Sequence, residues 1–227
     1  MYKKAAVVLL AIILPFVPLN ADMDSFWENT NWAILGSLNY FAADNGPSAD
    51  PAPIIPSLGF SFSWQFMDFL RLELTEDIYL SNYEFNTALG YPMACGAENR
   101  SAFVVGFLTS IQATGTFNIG SSGMLVRVYG GPTFDFRLVI QALGLHPNDL
   151  PDAQMQTEAI RNYFWGEGRW IMAVFGAGMD FPINQNFLIG FDLRAWLPAY
   201  KLWADDGKPV IDGWRFGIAL RVTPRKN

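Results

Sequence analysis

Nine charged side chains stand on alternate positions of otherwise apolar segments: Arg71, Glu73 and Asp77; Arg127 and Asp135; Asp192 and Arg194; Arg215 and Arg221. Alternate residues of a strand share one face, so each set is aimed to one side of its strand. Five cations against four anions are close enough to balance that mutual pairing is the chemistry to expect. Catalysis has little to work with. The sole histidine, His146, stands in His-Pro-Asn-Asp with no serine nearby in sequence, so the nucleophile-and-base pair of a hydrolase is missing. A loop histidine without a second imidazole or a cysteine beside it is a poor metal ligand. Cys95 is the single cysteine, which excludes an internal disulfide. We therefore expect no enzyme, no metal and no cofactor.

The strands that must carry these charges are clearest in 175–196. Phe175, Ala177, Met179 and Phe181 alternate with Gly176, Gly178 and Asp180. After a turn at 182–186, Phe187, Ile189, Phe191, Leu193 and Ala195 alternate with Gly190, Asp192 and Arg194. Period-two alternation marks a strand with a different solvent on each side. Residues 54–64 repeat it, with Leu58, Phe60, Phe62 and Trp64 set against Ser57, Gly59, Ser61 and Ser63. Four small residues, three of them serines, make a poor soluble core, because hydroxyls must be satisfied and little volume is filled. They suit the wet interior of a narrow barrel with lipid outside.

Further strands are expected at 32–41, from 69 to about 79, and at 101–113, 124–136 and 213–222, about eight in all. In the third, the parity puts Glu76 outward unless a bulge resets it. Short turns at 65–68, 114–123 and 182–186 alternate with long loops at 42–53, 82–100, 137–168 and 198–212. Within the third long loop, 152–165 reads as a short helix with Met155, Ala159 and Tyr163 on one stripe. An even strand count, with turns short on one side and loops long on the other, is the layout of an all-β, eight-stranded, antiparallel up-and-down transmembrane barrel.

Composition agrees. The chain has 227 residues, 51% of them hydrophobic and 15% aromatic. It opens with Lys3 and Lys4, an apolar run broken by Pro15 and Pro18, and Leu19-Asn20-Ala21, the form of a cleaved signal peptide over 1–21. Residues 22–31 read as a periplasmic lead-in, 32–222 as the barrel and 223–227 as a tail. Removing the two lysines takes the formal net charge from −6 to −8, which disfavours a nucleic-acid partner.

The hairpin 176–194 resembles the late hairpin of small OmpA-like and OmpW-like outer-membrane barrels. Arg215-Phe216-Gly217-Ile218-Ala219-Leu220-Arg221-Val222 resembles that group's assembly signal, departing from it in its terminal valine and the five residues that follow. The resemblance implies the outer membrane of a diderm bacterium, with lipid as surroundings and the barrel-assembly machinery engaging 215–222. It also implies an OmpW-like passive conduit for small, hydrophobic molecules. The alternative is a structural or adhesive barrel presenting its loops to an extracellular ligand, with Tyr91, Trp165 and Trp203 as anchors. A conduit need not run the length of the lumen. Gly130, Gly131 and Pro132 would weaken the ladder enough for a sideways exit into lipid, unless they are an ordinary strand end.

Overall fold

The computed structural model describes residues 29–42, 54–120, 123–144, 152–204 and 213–225. The leader, most of the lead-in, the first long loop and His146 lie outside them. The strands are β1 (Thr30–Ala42), β2 (Ile54–Met67), β3 (Leu70–Asn86), β4 (Tyr91–Ala94), β5 (Ala102–Ile119), β6 (Met124–Gln141), β7 (Ile171–Pro182), β8 (Phe187–Leu197) and β9 (Trp214–Pro224). The hydrogen-bonded order β2-β1-β9-β8-β7-β6-β5-β3 is closed by a β2–β3 pairing, so eight strands form a ring. Closure leaves no strand edge in the ring unpaired. The ninth strand, β4, lies outside the ring and pairs only with the far end of β3.

The burial pattern is inverted relative to a soluble protein. Leu58 is 65% exposed and Ile218 61%, whereas Ser61, Thr133 and Arg215 are fully buried. Leaving so much aliphatic surface open is favourable only against hydrocarbon. Aromatic rings gather at both ends of this apolar band. Trp64 and Phe66 pack together near the short turns, and at the other end Trp214 stacks on Phe216 while Trp165, Trp170 and Phe136 form a cluster. Rings at the two water interfaces are characteristic of membrane barrels.

Several elements differ from the expectation. Strand β5 continues to Ile119 and β6 to Gln141, so the second turn is confined to about 120–123 and Arg137 belongs to the barrel wall. The segment 82–100 is not one loop. Strand β3 carries its inward parity on through Ser81 and Tyr83, and Tyr91–Ala94 folds back on it. At that turn the Asn86 side-chain oxygen accepts from the Ala88 and Leu89 amides, and Gly90 supplies a left-handed φ of +74°. No bulge resets Glu76. The register Phe60↔Glu76↔Thr109 is unbroken, and the shift in β2–β3 lies between Gln65 and Met67. Glu76 stays on the outer face, where Thr109 Oγ1 donates to it at 2.6 Å.

The helix α1 (Ala153–Trp165) packs against the distal parts of β3, β4, β5 and β6. Its buried face is Thr157, Ile160, Tyr163 and Phe164, not the stripe through Met155, which is 69% exposed. Ile160 and Phe164, four residues apart, carry more apolar area than Met155 and Ala159 could bury together, and this sets the helix rotation.

Candidate functional site

The inner faces of the strands supply the site. Arg194 on β8 meets Asp77 on β3 through two hydrogen bonds, at 2.6 and 3.1 Å. In the ring β8 and β3 stand opposite one another, so this bidentate pair spans the barrel. Ser37 accepts from the same guanidinium, and Asn39 and Ser57 extend the chain of hydrogen bonds to Asp77. Towards the short turns, Arg221 on β9 pairs with Glu73 on β3 at 2.6 Å, and Ser61 donates to the same carboxylate at 2.5 Å. Arg127 on β6 grips Asp180 on β7 with two nitrogens, at 2.7 and 3.0 Å, and reaches Asp192 on β8 at 3.0 Å. Towards the long loops, Asp135 receives both Arg137 and Arg215, with Tyr79 donating at 2.8 Å. A buried charge is tolerable when it is paired and its remaining hydrogen-bonding positions are largely filled.

Glycines make room for these groups. A Cβ on Gly190 would lie 2.0 Å from Asp180 Oδ1, and one on Gly178 would lie 2.2 Å from Asp192 Oδ1. A Cβ on Gly106 would enter the Tyr79 ring and one on Gly176 the Tyr129 ring. The small inward residues of the strands are seats for large ones on neighbouring strands, and the lumen is filled from both sides.

Beyond the ionic groups the lumen turns apolar. Phe41, Ile55, Tyr79, Leu108, Met172, Val174 and Trp196 form one buried cluster on the inner wall. Above it a second cluster joins Tyr83, Tyr91, Met93, Val104 and Val139 to Ile160, Tyr163 and Phe164 of α1. Arg137 links the two layers, its guanidinium 4.0 Å from the Phe164 ring centre. Helix α1 therefore covers the inner face of the distal parts of β3, β5 and β6.

Of the nine expected lumen charges, eight are buried and paired across strands. Arg71 is the exception: it stands at the mouth near the short turns with no carboxylate within ion-pair distance among the described residues. Asp180 and Arg137 were missing from the expected set. Asp180 was visible on the charged face of its strand, and Arg137 was hidden because β6 was expected to end one residue before it. The three loop anchors separate. Tyr91 is buried in the distal cluster and is no surface anchor. Trp165 is part of the outer aromatic group and donates to the Arg137 carbonyl at 3.2 Å. Trp203 is 56% exposed, with its indole nitrogen on the Glu167 carbonyl at 3.1 Å.

Gly130, Gly131 and Pro132 are not a strand end. They lie inside β6, and their register with β7 is continuous. On the β5 side the pairing passes from Ser110↔Thr133 to Ala113↔Gly130, three residues on each strand, with no slip. A Cβ on Gly131 would lie 1.9 Å from the Ile111 carbonyl oxygen. Pro132 removes one donor, but the glycine beside it lets the two backbones close over the gap.

No protein-family model matches this chain, and no curated protein does. Among solved structures it is similar in architecture to Neisserial surface protein A, at 13% identity over 87% of this chain and 97% of that one, with a TM-score of 0.49. The attachment invasion locus protein Ail of Yersinia pestis, solved with the heparin analogue sucrose octasulfate, shares 12% identity over 86% and 96% of the two chains, with a TM-score of 0.46. The outer-membrane protein OprG of Pseudomonas aeruginosa shares 11% over 86% and 96%, with a TM-score of 0.47. The apolar exterior, the closed even-stranded ring and the buried charges make this chain a membrane-spanning β-barrel on its own geometry.

Proposed function

We propose that the barrel is a non-conducting mount, and that its work is done by the ordered structure on its long-loop, extracellular side. The observation that carries this reading is the cross-barrel pairing of Arg194 with Asp77, backed by the apolar cluster around Trp196 and by α1. A ring of eight strands leaves an interior just wide enough for side chains, and here the side chains occupy it. Passage along the axis of the small hydrophobic molecules that the family resemblance implied would require these layers to come apart together. The β5–β6 ladder is interrupted opposite Gly131 and Pro132, but its register does not slip and the backbones stay in close approach there, which gives little support to a lateral exit. The β3–β4 hairpin, α1 and the exposed Trp203 offer a preformed surface for an extracellular ligand, at a lower ordering cost than disordered loops would carry. Export through 1–21 and recognition of 215–222, which lies in β9, by the assembly machinery belong to the same proposal.

Reconstitution into planar bilayers tests it. The wild-type protein is expected to give a flat baseline in molar salt. Stable unitary current steps from the wild-type protein would return the conduit reading to first place.

A further inference from the structure

Below the ionic layers the lumen opens, at the short-turn end, into a cavity of about 250 Å³. Four guanidiniums line it, from Arg71, Arg127, Arg221 and Arg225, against the carboxylates of Glu73 and Asp180. Counting Asp192, which lies behind Arg127, four cations face three anions among the described residues, an excess of one positive charge. The excess is localised. Arg221 and Arg127 are held by Glu73, Asp180 and Asp192, while Arg71 and Arg225 have no carboxylate within ion-pair distance among the described residues. Two buried donors also lack acceptors: Arg71 Nε, and Nη1 of Arg127, a side chain only 2% exposed.

A buried donor left without an acceptor costs about 1–3 kcal/mol, and more when it is charged. In the middle of the barrel Arg194 Nε lacks an acceptor as well. At the mouth, unlike there, the guanidinium side chains border a cavity with room for an acceptor. We propose that this mouth is an anion site for a phosphate group entering from the periplasmic side. A carboxylate is planar and is satisfied by a single guanidinium fork. The fork of Arg127 is already taken by Asp180, so Arg71, Arg127 and Arg225 offer contacts from β3, β6 and the end of β9. Donors converging from three separate directions match a tetrahedral oxyanion. The proposal stands independently of what the extracellular side binds.

The test is calorimetric titration of inorganic phosphate into the full-length folded protein in octyl glucoside, at constant ionic strength. Saturable binding is expected, at least tenfold weaker in Arg71→Gln and unchanged in Arg100→Gln, which alters a cation on the extracellular side. Should Arg71→Gln lose the heat-dependent gel shift of a folded barrel, Arg225→Gln at the exposed rim serves in its place, with the same weakening expected. No saturable heat with the wild-type protein, or equal affinities in the mouth variant and Arg100→Gln, would overturn the proposal. Competition by short-chain phosphatidylglycerol separates the two sources of such a group. Displacement of phosphate assigns the site to lipid headgroups, and its absence assigns it to soluble phosphates.

Discussion

Arg194 and Asp77 reach each other from opposite walls, and neither has water to fall back on. Removing one partner of a buried pair leaves an uncompensated charge, at about 3–5 kcal/mol, whereas replacing both with apolar groups is often neutral. Arg194→Ala should therefore lower the free energy of unfolding from liposomes, read by urea titration, by that amount, and Arg194→Met with Asp77→Leu should recover most of it. An unfolding free energy for Arg194→Ala within about 0.5 kcal/mol of wild type, the range of a surface change, would mean that the pair is solvated. Cys95 follows a different rule, outside the membrane and beyond β4. Burial, reinforced by Glu84 and opposed by Arg100, pushes its thiol up to about 12. The thiolate is the nucleophile, so the sign is towards inertness: raising the pKa from the ordinary value cuts the reactive fraction at pH 8 by about a thousandfold. Iodoacetamide should label the folded protein correspondingly slowly at pH 8, and unfolding should restore the rate of a free cysteine. Rapid labelling at pH 8 without unfolding would contradict that burial.

The strands show why part of the site was readable beforehand and part was not. Period-two alternation placed Asp192 and Arg194 on one face, and the structure puts them there because a strand has no other way to arrange them. Which charge meets which partner depends on ring closure. Arg194 and Asp77 lie 117 residues apart, and no local pattern relates them. One signal was overlooked: inward glycines sit beside the bulky lumen residues of the next strand. Gly190→Ala should clash with Asp180 and cost about 1–3 kcal/mol, as overpacking does. Gly36→Ala, on the outer face with nothing within 4 Å of its Cβ, should stay within about 0.5 kcal/mol of wild type. Equal urea midpoints for the two variants would mean that the glycine seats are not filled. The distal hairpin was missed for a related reason. The inward parity of β3 continues through Tyr79, Ser81 and Tyr83, but polar residues and a turn broke the outward half of the pattern, which no longer faces lipid there.

At the scale of the molecule, strand number, direction and orientation were legible because a lipid exterior imposes a strong alternation on every spanning strand. Pairing of the inner charges was expected from the near balance of sign and the narrow ring, but the apolar groups that fill the rest of the lumen were not. Serines, glycines and charges on an inner face describe a water-filled passage and a plugged one equally well until the opposite wall is known. Tyr79, Leu108 and Trp196 close the interior, and each looks locally like an ordinary strand residue. The most direct measurement is thiol reactivity along β2 in membranes, in a Cys95→Ser background, with a charged, membrane-impermeant methanethiosulfonate. Cysteines replacing Leu58, Phe60 and Phe62 should be silent because lipid covers them, those replacing Ser57 and Ser61 silent because the lumen is filled, and one replacing Asp68 in the turn should react at once. Prompt reaction at 57 and 61 would mean an open aqueous lumen, and prompt reaction at 58, 60 and 62 would mean that these side chains never faced a bilayer.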